Sequence, residues 1–240
     1  AASDGGNSGI SIGGYDAERN PYIYVDFACG TWGGRPWADG LQGNSNMFAN
    51  MASQSVEVIE AEQPVEILAY ELLPDRAGPG RYRGGAPYYR DYRFTEKEAV
   101  LQVRSDRARF RPYGLYGGLP GTASANYLNP QRENKKLTSK PTMMIKNGDV
   151  FRHELAGGGG WGDPLERNPS DVLRDVRNEL VSPEAAQTGY GVIVDTEAWC
   201  VDINGTTALR EQMRSSRGWK KVPFVSWDDD GTEEALDASQ

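Results

Sequence analysis

The chain opens with alternating apolar and polar positions. Residues 8–14 (SGISIGG) and 21–28 (PYIYVDFA) each read as a short strand, joined by a polar turn over residues 16–20. On the second strand, alternation puts Tyr22, Tyr24 and Asp26 on one face and Ile23, Val25 and Phe27 on the other. Residues 29–46 (CGTWGGRPWADGLQGNSN) carry no period and read as a long Gly/Trp loop, a length that in compact domains usually serves binding or an interface. The run SVEVIEAEQPVEILAYELLP (55–74) alternates well enough to predict two strands, broken at Gln63 and Pro64. Turn chemistry follows in DRAGPGRYRGG (75–85), where glycines supply positive φ and Pro79 fixes its own.

YYRDYRF (88–94) and AVLQVRSDRARF (99–110) predict a further strand pair linked by TEKE, and 111–135 is again loop. TMMIKNGDVFRHEL (142–155) predicts a hairpin around Asn147-Gly148, the strongest short hairpin signal in the chain. Four glycines stand at 157–160, and then the period changes. Asn168 can cap a helix with Pro169 at its first position and Val172, Leu173, Val176 and Leu180 as its apolar stripe. A second short helix starts at Ser182-Pro183-Glu184 and stops near Gly189; 191–195 and 198–203 read as strands and 207–216 as a last helix. The prediction is α+β: a β-rich irregular sheet body with long Gly-rich loops (1–160), a small C-terminal α/β appendage (161–216) and a mobile acidic tail (217–240).

Composition narrows the chemistry. With 29 glycines, 14 prolines and 38% hydrophobic residues in 240, the chain is turn-rich yet has material for a core. No apolar run reaches the roughly 18 residues of a membrane helix. A net charge of −8 disfavours nucleic-acid binding as the main role. Cys29 and Cys200 form no CxxC motif, so a reducing compartment, the cytoplasm, is the default. His153 is the one histidine, which excludes a two-histidine metal centre made by this chain alone. The start at Ala1, with no basic or apolar leader segment, reads as a cleaved product or a fragment.

Several residues are candidates for function. Gly157, Gly158, Gly159 and Gly160 can form an anion nest from exposed N–H groups, with Trp161 and Asp163 close by; the alternative is a flexible connection. No GKS/T follows, so this is not a Walker A loop. His153 shares a strand face with Phe151 and Leu155, which favours a core histidine over a general acid or base. If RSDRARFRP (104–112) continues as a strand, Arg104 and Asp106 fall on one face and Arg107, Arg109 and Arg111 on the other. They suit a phosphorylated substrate or bicarbonate, or else a salt-bridged subunit surface. Asp4, Asn7 and Asp26 flank Gly-rich turns and can contact a small cyclic substrate, although packing turns account for them too. Cys200 reads as core. Trp32, Trp37 and Trp161 suit a pocket wall, a subunit interface, or a carbohydrate-binding module with no chemistry of its own.

Three blocks in this order carry a resemblance: YELLPDRAGPGRYRGGAPYYRDYRF, RSDRARFRPYGLYGGLPG and SKPTMMIKNGDVFRHELAGGGGWGDPLERNPSDVLRDVRNELVSPEAAQTGYGVIV. Together they resemble the hydantoinase B/oxoprolinase family, across roughly residues 1–195 and over the C-terminal part of its longer subunits. The resemblance implies the B-type subunit of an ATP-dependent cyclic amide hydrolase acting on a hydantoin, lactam or 5-oxoproline. Its partner is an A-type subunit that binds ATP and Mg and phosphorylates the substrate. It further implies a divalent metal, zinc or manganese, in an N-terminal segment missing from this sequence, carried by another chain or cleaved off, with none in this one. An ATP-dependent acetone or acetophenone carboxylase is the alternative within the family, since one scaffold hosts both reactions.

Overall fold

The computed structural model describes residues 1–46, 49–219 and 222–226. Two antiparallel sheets face each other across one core. The first orders β2 (Pro21–Ala28), β1 (Ser8–Tyr15), β5 (Glu98–Arg104) and β9 (Thr142–Lys146). The second orders β3 (Val65–Leu72), β4 (Tyr88–Phe94), β10 (Val150–Glu154), β7 (Ala125–Leu128) and β8 (Lys135–Leu137). Ile10, Ile12, Leu101, Val103 and Ile145 of the first meet Val65, Tyr92, Phe94 and Phe151 of the second. Burial of such side chains is the main favourable term, on the order of 1.5–3 kcal/mol each.

The predicted strand pair at TEKE and the predicted hairpin at Asn147-Gly148 are both corners between the sheets. Residues 95–97 lie between β4 and β5, and Asn147-Gly148 between β9 and β10; in each case the flanking strands belong to opposite sheets. The turn chemistry at Gly148 is as expected, with φ +82°. Turn residues fix the reversal of the chain, but the partner of each strand is chosen by core packing.

The first half of 55–74 is a helix, α1 (Val56–Glu62), and only the second half a strand, β3. Within α1 only Ile59 is fully buried, so one anchor and helix propensity outweigh an apparent alternation. On β2 the buried side chains are Tyr24, Asp26 and Ala28, whereas Ile23, Val25 and Phe27 face outward.

Beyond the sandwich, α2 (Pro169–Arg177) is capped by Asn168, whose side chain accepts from Ser170 N–H. α3 (Pro183–Tyr190) begins at Ser182 and ends at the left-handed Gly191, two residues past the predicted stop. Val172, Val176, Ala186, Tyr190 and Val192 pack a small second core. Two-residue strands β11 (Val194–Asp195) and β12 (Cys200–Val201) pair beside it, followed by α4 (Ile203–Ser216). Cys200, predicted to be core, is exposed. The start of the predicted mobile tail is docked. β13 (Val225–Ser226) pairs with β6 (Gly114–Leu115), and Tyr116 N–H reaches Phe224 O at 2.8 Å. Residues 227–240, the acidic part of that prediction, lie outside the described residues.

Candidate functional site

The glycine run is built into the molecule. Gly157 donates to Thr122 O at 3.1 Å, Gly158 to Gly85 O at 3.1 Å, Gly159 to Ala2 O at 2.9 Å and Gly160 to Leu119 O at 2.9 Å. Partners recur every third residue, as in an extended helix with three residues per turn, where only glycine fits between close-packed backbones. A Cβ on Gly157 would collide with Arg76 O, on Gly158 with Trp32 O, on Gly159 with Tyr113 O and on Gly160 with Pro79 O. All four glycines are buried. With every N–H committed, the anion nest expected from the sequence has no donor to offer, and the run is neither nest nor flexible connection. It is the axis on which the surrounding loops assemble. Asp163 is likewise occupied: it caps the turn Pro164–Glu166 by accepting from Leu165 N–H, and pairs with Arg217 at 2.7 Å.

Asp26 and His153 sit between the sheets. Asp26 Oδ2 accepts from Arg90 Nη1 at 2.6 Å and from Tyr92 Oη at 2.7 Å. Arg90, 1% exposed, also stacks on the Tyr70 ring at 4.0 Å. His153 pairs across the sheet with Arg90 on one side and Asn126 on the other. Its Nδ1 lies 2.7 Å from Asn126 Oδ1, while Asn126 Nδ2 donates to Ser105 Oγ and Thr138 O. That amide orientation makes His153 Nδ1 the protonated nitrogen. Burial pushes the imidazole down to about 4, against the opposing pull of the Ala125 backbone and Asp26, so it is neutral at pH 7. Both side chains are buried core groups, 6% and 1% exposed, where the sequence reading has them as site candidates.

The arginine run also differs from expectation. The strand ends at Arg104, Arg107 is left-handed at φ +64°, and Arg109 is exposed beside Phe110. No common strand face unites them. Arg107 Nε donates to the main-chain carbonyl of Asp4 at 3.0 Å and so braces the segment next to the cavity described below.

Of the residues singled out in sequence, Asp4 and Asn7 line a cavity of about 430 Å³, together with Gly5, Gly6, Gly30 and Trp32. That volume falls within the range of small-ligand pockets. Trp32 is held there by its indole N–H, which donates to Ser45 O at 2.9 Å, while Trp37 projects outward at 72% exposure. Asn7 is fixed by accepting from Asn46 N–H at 3.3 Å. Asp4 is 4% exposed, and among the described residues its Oδ2 has no hydrogen-bond partner. That oxygen stands where a side chain on Gly30 would be, which is why Gly30 is a glycine. Burial drives the Asp4 carboxyl up to about 7. Arg107 and the Ala156 N–H pull it down in part, and Asp106 pushes it up. A carboxyl that changes charge near neutral pH inside a cavity is a mark of functional sites.

Arg90, the partner of Asp26, is absent from the candidates that sequence suggests. A signal for it exists, because alternation in YYRDYRF puts Arg90 on the face of Tyr88 and Tyr92, and a buried carboxylate needs a cation. Asn44 and Thr31, which also line the cavity, carry no signal beyond their place in a long loop. Among the described residues no three His, Cys, Asp or Glu side chains come close enough to hold a metal ion.

The family model for hydantoinase B/oxoprolinase matches residues 1–164. The chain belongs to this family. It is 30% identical over 198 residues to the B-type subunit of a putative D-/L-hydantoinase from Pseudomonas sp. (strain NS671), covering 81% of this chain and 33% of the relative. Its fold resembles that of the ATP-dependent caprolactamase from Pseudomonas jessenii, with TM-score 0.74 and 26% identity over 88% of this chain and 38% of that one. It resembles the acetone carboxylase fold at TM-score 0.72 and 21% identity, over 92% of this chain and 35% of the other. The chain thus spans about a third of the length of the relatives it matches. No helix among the described residues is long and apolar enough to cross a membrane.

Proposed function

We propose that this hydantoinase B/oxoprolinase chain supplies part of the B-type subunit of an ATP-dependent hydrolase of cyclic amides. An unactivated amide is a poor electrophile. Phosphorylating its oxygen on an ATP- and Mg-binding A-type subunit converts that oxygen into a leaving group, and the B side then holds the activated ring in a dry, preorganised pocket. The likeness to an ATP-dependent caprolactamase over 88% of this chain is the observation that carries the reading. The described residues contribute a cavity with a titratable carboxyl and a fixed aromatic wall. They offer no nucleotide loop, because the glycine run has spent its N–H groups internally. They also hold no cluster fit for the divalent zinc or manganese of the family reading. That metal belongs, on this reading, to the portion of a B-type subunit outside this chain, and no step is assigned to it.

The reading requires an A-type partner chain and the rest of the B-type subunit, working in the cytoplasm. The test is to isolate the native complex, identify its chains and metal, and assay it with hydantoin, 5-oxoproline and ε-caprolactam. Ring opening that needs ATP but not bicarbonate supports the hydrolase. A product that forms from a ketone only with bicarbonate overturns it in favour of a carboxylase.

A further inference from the structure

The outer faces of the two sheets differ in kind. On the sheet of β3, β4 and β10 the outward residues are tied together: Arg152 to Asp91 at 2.7 Å, Tyr89 Oη to Glu71 at 2.8 Å, and Arg93 to Glu66. That face suits water. The sheet of β2, β1, β5 and β9 turns Ile10, Ile12 and Leu101 into the core and is apolar on its outer face as well. β2 presents Ile23, Val25 and Phe27 there, with Ile23 71% exposed, and Val100 and Met144 stand exposed on β5 and β9. Strand register sets Ile23, Gly13, Val100 and Met144 in one row across all four strands. An antiparallel sheet with one face on the core normally shows polar side chains on the other. A contiguous apolar face that includes an edge strand marks an interface.

Between these apolar walls the floor is nearly bare, because β1 turns Gly9, Ser11 and Gly13 outward. The fold itself does not require the two glycines. Both have ordinary φ, and an added Cβ would come no closer than 3.8 Å to Phe27 from Gly9 and 3.6 Å to Tyr22 O from Gly13. Glycine inside a strand weakens it, and where its own neighbours leave room it marks the close approach of another backbone. β2 and β5 lie two strand spacings apart, about 9.5 Å, which matches the roughly 10 Å width of an α-helix. From Gly9 to Gly13 the floor runs about 13 Å, the rise of about nine helical residues. At the Gly13 end it deepens into a cavity of about 750 Å³ beside Gly14, Tyr15 and Val100. The two ends differ in charge. Glu98 faces Lys146 across the ladder, whereas Arg104 at the other end is exposed and bonds the neutral Gln102 side chain at 3.1 Å.

We propose that this trough seats an amphipathic helix from the rest of the B-type subunit. Its apolar stripe lies on Ile23, Val25, Val100 and Met144, with small side chains over Gly9 and Gly13. Its C-terminal, negative end lies at Arg104. The length of the relatives supplies the occupant: this chain spans about a third of them, so about two thirds of such a subunit lies outside it. A second copy of the chain is the poorer occupant, because each copy carries a net charge of −8. The inference rests on the reading of this chain as part of a B-type subunit, and it holds whichever reaction that subunit serves.

Met144 reports on the trough without any substitution. Hydrogen peroxide is applied to the native complex and to the 240-residue chain, and oxidation at Met144 is followed by peptide mass spectrometry. Oxidation should be at least about 30-fold slower in the complex, where the helix must lift before the sulfur is reached. Equal rates overturn the proposal. So does protection in the chain alone with the sedimentation of a dimer, which gives the face to a second copy. Protection that disappears when the A-type chain is removed gives it to that subunit and overturns the proposal too. Gly13→Val tests the floor. The urea midpoint of the variant chain should equal or exceed that of the parent, while in the complex the same substitution should speed Met144 oxidation by at least about 10-fold or block assembly. A lower midpoint, or full protection in the variant complex, overturns the proposal. Turnover is scored separately: a complex that carboxylates a ketone would refute the hydrolase reading and leave the protection result standing.

Discussion

Arg167 and Asp39, 128 residues apart, meet as a two-toothed ion pair with Nη1–Oδ1 at 2.6 Å and Nη2–Oδ2 at 2.7 Å. Arg167 is 2% exposed and also reaches Asp175 of α2 at 2.7 Å, where Arg83 joins from the other side. Asp39 lies in the long Gly/Trp loop that also carries Trp32. The pair therefore ties the appendage to the loop that walls the cavity.

Removing one partner from a buried network leaves uncompensated charge. Arg167→Ala should cost about 3–5 kcal/mol, read as a lower urea midpoint. Arg167→Lys should recover only part of it, since an ammonium cannot make both contacts.

The glycine axis predicts sharp position dependence. Gly159→Ala would drive a methyl into Tyr113 O with backbone on every side, and should yield little folded protein. Gly6→Ala meets open space and has ordinary φ, so its unfolding midpoint should stay close to that of the parent chain. If the two variants unfold alike, the packed-axis description is wrong.

Much of this fold is legible from periodicity. β1, β2, β3, β4, the helix at Asn168-Pro169 and the turn at Gly148 follow from alternation, capping and positive φ, all local properties. The pairing of strands is not legible, because TEKE and Asn147-Gly148 specify a reversal and leave the choice of sheet to the core. The site is legible only where a residue's role is local. Asp4 stands out by its glycine neighbours, but Asp26 and His153 look equally functional until Arg90 and Asn126 are placed against them. The four glycines mislead for a physical reason. The same lack of a side chain that admits a ligand also admits other backbones, and in this fold several segments of the chain take the space.

His153 should make the chain acid-sensitive. Its folded value near 4 lies below the ordinary 6.5, so the unfolded state takes up a proton first as pH falls. Stability from this residue is therefore intact above pH 6.5 and lost progressively down to pH 4, by about 3 kcal/mol in total. Urea unfolding between pH 7 and 4 should show a shallower acid slope in His153→Gln than in the native chain, whatever that variant's own cost.

Asp4 acts in the opposite direction. Its folded value near 7 lies above the ordinary 3.8, so the folded state binds the extra proton across that interval and stability falls as pH rises through it. The cumulative loss is about 4 kcal/mol above pH 7. Asp4→Asn removes the linkage and should be more stable than the native chain at pH 8 and close to it at pH 4. A stabilising substitution at this one cavity carboxyl would mark a position where stability has been given up for binding.

The assay that bears most directly on the enzymatic role of this chain is omission. The native complex is reassembled from its subunits with and without the one that carries this sequence, and ATP-dependent opening of a cyclic amide is followed. Turnover is expected to require this chain and to return when it is added back, with no need for bicarbonate. Full turnover in its absence would contradict the claim that it is part of the enzyme.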